Sequence, residues 1–234
     1  MIDIHCHMLS GVDDGPRTLA DAIRMLHIAR ENRIRGIILT PHYRKGMFSY
    51  PHDRIEAGYA ALEKEAKRLS IRLYPGCEYY ADHDMADNFR SGYCMPLAGS
   101  HYILMEFSEE CSEMDLRGHI GTMQAAGYKP VIAHAERYEI IRRHPEILTD
   151  IRRSGVMVQL NAGNILGEEG RQIRAACARI LRDENADIIA SDAHNTTNRR
   201  NRMLECCRFI KKKYGKDVAK KLMRTNPECI IKNA

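Results

Sequence analysis

The sequence predicts an α/β fold, a (β/α)7 barrel or a distorted form of one, with its site at the C-terminal ends of the strands. Three observations predict it. Short, β-branched apolar runs alternate with longer segments of helical periodicity. Seven such runs favour a barrel over an open sheet, although periodicity alone does not decide between them. Each run also delivers a polar residue at its C-terminal end, the edge where α/β barrels build their sites.

The elements follow in order. Strands are expected near 1–5 (M-I-D-I-H), 35–40 (R-G-I-I-L-T), 71–77 (I-R-L-Y-P-G-C), 102–107 (Y-I-L-M-E-F), 129–134 (K-P-V-I-A-H), 156–160 (V-M-V-Q-L) and 187–191 (D-I-I-A-S). Helices are expected near 18–33, 53–69, 113–127, 138–154 and 168–185, with two or three more within 199–231. No low-complexity linker or repeat interrupts the 234 residues, so 1–234 reads as one domain large enough for its own core.

Composition narrows the function. A net charge of +5 is compatible with an anionic substrate. The basic run 211–221 lacks interleaved aromatics, so it reads as a solvated helical face and not a nucleic-acid surface. Eight cysteines without C-x-x-C, and an N-terminus without a secretory pattern, point to free thiols in a reducing cytoplasm. No segment approaches the roughly 20 apolar residues of a membrane span.

The strand ends carry the chemistry. His5 and His7 are two apart, so in a strand they share a face, with Cys6 opposite. The second strand runs into Thr40-Pro41-His42, the third into Cys77-Glu78, the fourth ends at Glu106 and the fifth at His134. The sixth runs into Asn161, a candidate hydrogen-bonder, and the seventh into Asp192 and His194. His5, His7, His42, Glu78, Glu106, His134, Asp192 and His194 are too many donors for one ion. Two or three divalent metals sharing carboxylates fit better, and mixed nitrogen and oxygen donors suit manganese, iron or zinc. Adjacent metals acidify a water and hold phosphoryl oxygens, the chemistry of phosphoester hydrolysis. His27, His52, His83, His101, His119 and His144 lie away from the strand ends and read as non-ligands.

M-I-D-I-H-C-H at the start, V-D-D-G-P at 12–16, P-H-Y-R-K-G-M-F at 41–48, H-A-E-R-Y at 134–138 and S-D-A-H-N at 191–195 together carry a resemblance. The chain resembles the PHP (polymerase and histidinol phosphatase) superfamily, and within it the bacterial protein-tyrosine phosphatases of capsule and exopolysaccharide synthesis. The resemblance implies a distorted β/α barrel with a trinuclear, usually manganese-activated site. It implies action on phosphotyrosines of the autophosphorylating kinase that controls polysaccharide polymerisation, and a possible homo-oligomer. It also implies phosphate binding by Arg137 and Arg199, whose guanidinium forks suit a phosphoryl group.

Other residues read two ways. Asp13 and Asp14 in D-D-G-P are a turn and helix-start signal, or Asp14 is the acid that protonates the tyrosine leaving group. Arg44, Lys45 and Phe48 either meet an acidic phosphopeptide and stack on its ring or are loop residues. Cys111 and Arg117 have the spacing of cysteine-based phosphatases. Glu113 and Asp115 between them would repel phosphate, and no glycine turns backbone N–H groups inward, so that route is rejected. A PHP phosphatase for a small molecule such as histidinol phosphate, a PHP exonuclease, and a kinase-binding regulator with a vestigial site are the alternatives.

Overall fold

The computed structural model describes residues 1–232. β1 (Ile2–Cys6) is buried from Asp3 onward. α1 (Leu19–Glu31) starts at Thr18, whose side chain accepts from the Asp21 N–H, and it buries Ala22, Met25, Leu26 and Ala29. The chain returns as β2 (Gly36–Leu39), parallel to β1. The register slips between Asp3 and Cys6. Ile4 can therefore pack into the apolar interior while His5 and His7 both face the site, a bulge that re-aims side chains.

The second and third strands, expected over 35–40 and 71–77, each continue, past a break, as a further short strand that the sequence reading lacked. The second continues past Thr40-Pro41 as β3 (His42–Tyr43). After α2 (His52–Arg68), the third runs as β4 (Arg72–Pro75), stops at Gly76 and resumes as β5 (Glu78–Tyr80). Pro41 has no N–H for the ladder, and the Thr40 hydroxyl accepts from the Cys6 N–H at 3.0 Å instead. At Gly76 a Cβ would come within 2.7 Å of Ile38 Cγ2, so only glycine permits that close approach. The breaks divide the wall into a lower sheet, β1-β2-β4, and an upper sheet that begins β3-β5.

α3 (Met85–Arg90) precedes β6 (Tyr102–Glu106), and α4 (Glu113–Ala125) precedes β7 (Lys129–Ile132). The helix expected over 138–154 is two helices, α5 (Glu139–Arg143) and α6 (Ile147–Arg153), because Pro145 disfavours helical backbone at His144. β8 (Met157–Asn161) leads directly into a short α7 (Ala162–Leu166) that the sequence reading lacked. Left-handed Gly167 (φ +99°) and Gly170 (φ +94°) delay the next helix, α8, to Arg171–Arg182. β9 (Ile188–Ala190) completes the upper sheet, β3-β5-β6-β7-β8-β9.

The ring closes between β9 and β1. The Asp192 N–H donates to His5 O and the His7 N–H to Ala193 O, both at 2.9 Å. Buried Asp3 pins this seam, accepting from Ser191 N and Asn201 Nδ2 at 2.9 Å each. Ile4, Ile38, Leu104, Val131, Ile188 and Ala190 form an inner apolar cluster. α9 (Met203–Lys213), α10 (Lys216–Lys220) and α11 (Asn226–Lys232) follow, and Ile230 of α11 joins that cluster. Cys6, Cys77, Cys94, Cys111, Cys177, Cys206 and Cys207 are free thiols, and all of these but Cys111 are buried. No helix among the described residues is long and apolar enough to cross a membrane.

Candidate metal and phosphate site

The eight donor residues named from the sequence meet at one end of the barrel. His5 Nε2 and His7 Nε2 are 3.1 Å apart. Both lie 3.1 Å from Glu78 Oε2, and His42 Nδ1 lies 3.0 Å from the same oxygen. His134 Nε2 is 2.9 Å from Glu78 Oε1 and 3.7 Å from Glu106 Oε1. Asp192 Oδ1 is 3.4 Å from His5 Nε2 and 3.5 Å from His194 Nδ1. Three donor groups emerge: His5, His7 and Asp192; His42, Glu78 and Glu106; and His7, Asp14, His42 and His194.

These separations suit shared cations. Donors at about 2.0–2.2 Å from one ion sit about 3.0–3.5 Å from each other. Glu78 Oε2 and His194 Nε2 are buried and make no hydrogen bond, although imidazole or carboxylate atoms stand 3.0–3.2 Å away. The neighbours are close, but their geometry is not that of donor and acceptor. Such orphaned polar atoms call for a partner, and a cation between the donors supplies one.

Asp14, the candidate acid from the sequence, stands among the donors. Its Oδ1 lies 3.2 Å from His194 Nε2 and 3.5 Å from His42 Nε2. Burial would raise its carboxyl, but the close His194 imidazole and those of His7 and His42 hold it well below the usual carboxylate range. A group held as an anion is a poor proton donor and a good ligand.

Behind the donors stands a layer of orienting groups. Asp13 Oδ2 accepts from His7 Nδ1 at 2.7 Å and from the His42 N–H at 3.1 Å, while Oδ1 accepts from the Gly15 N–H at 2.9 Å. A Cβ on Gly15 would stand 2.6 Å from His7 O, so glycine lets the D-D-G turn lie against β1. Gln159 Oε1 meets His5 Nδ1 and accepts from the His134 N–H, both at 3.0 Å, and Asn161 Nδ2 donates to Asp192 Oδ2 at 2.8 Å. These partners fix ring orientation and tautomer. Sequence reasoning missed Gln159, although inward alternation along β8 with Asn161 was a usable signal. His134 (φ +29°) and Asp192 (φ +52°) are held in left-handed backbone, strain of the kind that gathers at functional sites.

Charge balance within the cluster rests on the imidazoles. Burial alone would lift the Glu78 carboxyl, but His5, His42 and the bond from His134 hold it far below its ordinary value. Burial opposes charge on His5 and His42, yet Glu78 and its fellow carboxylates push them up to about 9 and about 10. Burial and His7 lower His194 to about 4, and burial with the Glu78 charge raises Glu106 to about 7.

A cavity of about 230 Å³ opens over this cluster and is lined in part by Arg44, Phe48, Arg137 and Arg199. Arg137 Nη1 lies 3.3 Å from Asp192 Oδ2, and its Nε edge is clamped by Glu169. Arg199 reaches Asp14 Oδ2 at 3.1 Å and Asp192 Oδ1 at 3.5 Å. Phe48 stacks on His42, with 5.2 Å between centroids, and Arg44 sits 4.0 Å over the Tyr80 ring. Lys45 does not join them: it is exposed and pairs with Asp84. His27 and His144 pair with Glu65 and Glu146 on the surface, away from the cluster. Cys111 stays a thiol, pushed up by burial to about 11, and Arg117 is taken by Glu113 on α4.

Comparisons with known proteins agree along the whole chain. The family described as capsular polysaccharide synthesis, CpsB/CapC, matches residues 1–232. Tyrosine-protein phosphatase CpsB of Streptococcus agalactiae is 30% identical over 240 residues, covering 100% of this chain and 99% of that protein. Tyrosine-protein phosphatase YwqE of Bacillus subtilis is 31% identical over 235 residues, covering 100% and 92%. A crystal structure from work on YwqE of B. subtilis and CpsB of Streptococcus pneumoniae, described as unique metal-dependent tyrosine phosphatases, superposes with a TM-score of 0.92 at 30% identity, over 100% of this chain and 95% of that one. Histidinol phosphate phosphatase of Lactococcus lactis shares the fold at a TM-score of 0.59 and 13% identity, over 95% of this chain and 94% of that one. With a barrel of the PHP type and a match running from Met1 to Lys232, the chain belongs to the CpsB/CapC family of capsular polysaccharide synthesis.

Proposed function

We propose that the chain is a metal-dependent protein-tyrosine phosphatase that removes phosphate from the C-terminal tail of a bacterial tyrosine kinase governing capsule or exopolysaccharide synthesis. One observation carries the reading: imidazoles, carboxylates and two arginines converge on one small pocket, in a chain whose relatives are named tyrosine-protein phosphatases. The donors His5, His7, His42, Glu78, Glu106, His134, Asp192 and His194, joined by Asp14, would hold two or three divalent ions, manganese first and iron or zinc as alternatives. When bound, such ions supply an acidified water and positive charge for phosphoryl oxygens.

The chain's own residues do the rest. Arg137 and Arg199 stand on opposite sides of Asp192 and offer guanidinium donors to the phosphate. Asp13 and Gln159 keep His7 and His5 aimed into the cluster. Phe48 and Arg44 at the lip offer an aromatic face and a cation to a phosphotyrosyl segment. Asp14 acts as a ligand and not as the acid. A phenolate of pKa about 10 leaves without strong protonation. The free thiols of Cys6, Cys77, Cys94, Cys111, Cys177, Cys206 and Cys207 suit a reducing cytoplasm.

The test is phosphate release from a phosphotyrosyl peptide with and without Mn²⁺, for the wild type and His5→Ala, with histidinol phosphate in parallel. Metal-dependent turnover of the peptide, lost in the variant, supports the reading. Better turnover of histidinol phosphate would overturn the tyrosine assignment and leave the site standing. No turnover with any metal would overturn both.

A further inference from the structure

A cavity larger than the phosphate pocket lies elsewhere in the described part of the molecule. It measures about 730 Å³ and opens at the opposite end of the barrel, where β1, β2 and β4 begin. Arg35, Arg72, Arg224, Lys232 and the Met1 ammonium converge on it. Its one acid, Glu228, is already 3.0 Å from Arg224 Nε. The fold itself creates the crowding. The Arg35 N–H donates to Met1 O, and the Arg72 N–H donates to Arg35 O, both at 2.9 Å. Three cationic residues thus sit side by side at neighbouring strand starts. Among the described residues neither Arg35 nor Arg72 has an acid partner. Like charges on adjacent strands cost stability unless something anionic offsets them.

A second cavity, of about 410 Å³, continues the first, sharing Met1 and Arg224. Arg33, Lys211, Lys216 and Lys220 line it, with Asp217 as its one acid. The basic run 211–221 is therefore more than a solvated helix face, because its lysines border the cationic cavity. Tyr74 and Ile231 give the first cavity an apolar flank beside the cations. The Met1 ammonium registers the crowding, since burial and then Arg224 and Arg35 lower its pKa.

We infer that this basal cavity binds an oligophosphate, a ligand with two or more linked phosphates, at a site separate from the phosphatase pocket. A single phosphate would fill only a small part of cavities of about 730 and 410 Å³, whereas a chain of two or three offers successive anionic groups along the shared Met1–Arg224 wall. Inorganic oligophosphate and nucleoside triphosphate share this chemistry, and a nucleotide would add its base against Tyr74. The inference stands on the far end of the barrel and does not depend on the phosphatase reading.

The experiment is isothermal titration calorimetry of the metal-loaded full chain with two probes, tripolyphosphate and ATP, each in excess Mg²⁺. Wild type, Arg35→Ser/Arg72→Ser and Arg137→Ala are compared at low and high salt. The double variant is expected to bind at least about tenfold more weakly, since each charge-assisted bond contributes about 1.5–3 kcal/mol. Its circular dichroism and Tm should match the wild type, which shows that it folds. Arg35→Lys/Arg72→Lys should recover part of the affinity, and high salt should weaken binding. ATP binding more tightly than tripolyphosphate, with the difference lost in Tyr74→Leu, identifies a nucleotide; equal binding identifies the phosphate chain alone. Wild-type affinity in the double variant, loss of all binding in Arg137→Ala, or no saturable binding by the wild type would each overturn the inference.

Discussion

Asp13→Asn removes a carboxylate while leaving the side chain nearly the same size. Asp13 touches no substrate. It orients His7 and receives the N–H of His42. The His7–Asp13 contact is 2.7 Å between side chains 0% and 1% exposed, so solvent does little to screen it. A buried hydrogen bond to a charged group contributes about 1.5–3 kcal/mol, which is about 10- to 150-fold in an equilibrium constant. Losing a carboxylate behind a metal-binding histidine typically costs about 10- to 100-fold in metal affinity or activity. The asparagine amide offers no escape. One side of Asp13 faces the donors on His7 and His42, and the other faces the Gly15 N–H, so an NH₂ meets a donor whichever way it turns. The assay is phosphatase activity of chelator-stripped protein titrated with Mn²⁺. The half-activating metal concentration should rise by about 10- to 100-fold, while saturating metal recovers most of kcat. A variant with the wild-type metal curve would refute the orienting role.

Three further outcomes follow from the same geometry. His5 and His42 are raised to about 9 and about 10 from an ordinary 6.5, so the stability they contribute is full below pH 6.5 and is lost as pH rises through 9 and 10. Chelator-treated protein should therefore lose Tm between pH 7 and 10, and added metal should stabilise it more as pH rises; a flat Tm in the treated protein would contradict this. Cys111→Ser should leave turnover within about twofold of wild type, since Cys111 belongs neither to the pocket lining nor to the donor groups, and a large loss would revive a thiol mechanism. Glu169→Ala frees the Nε edge of Arg137; KM for a phosphotyrosyl peptide should rise several-fold with kcat little changed, whereas a fall in KM would mean that Glu169 competes with the phosphate.

The parts of the site that could be read from the sequence share a physical reason. Glu106, His134 and Asp192 are ligand types at the ends of apolar runs, and period-2 geometry aims such residues without knowledge of the rest of the fold. Local chemistry also marked the helix break at Pro145, had it been weighed against the apolar pattern of 138–154. Other features depend on distant partners. Gly76 is required because Ile38 passes 2.7 Å from where its Cβ would stand. Lys45 turns from the pocket because Asp84 captures it. Gln159 serves His5 from 154 residues away. The place of Asp14 among the donors was hidden for a related reason: D-D-G-P reads as a turn, or as an acid beside the site, and only the folded barrel brings His194 to 3.2 Å from the second aspartate.

The seam between β9 and β1 also orders events in time. The donors of the first strand are synthesised well before those after the last strand, with Cys6 and Ala193 separated by 187 residues. At roughly 5–20 residues per second, the early histidines wait on the order of 10–40 s for Asp192 and His194 to emerge. Ion capture by both sets of donors would then belong to the final act of folding, after the ring has shut. A cation held between them would work as a staple across that seam, and a chain ending before residue 192 would be unable to hold it.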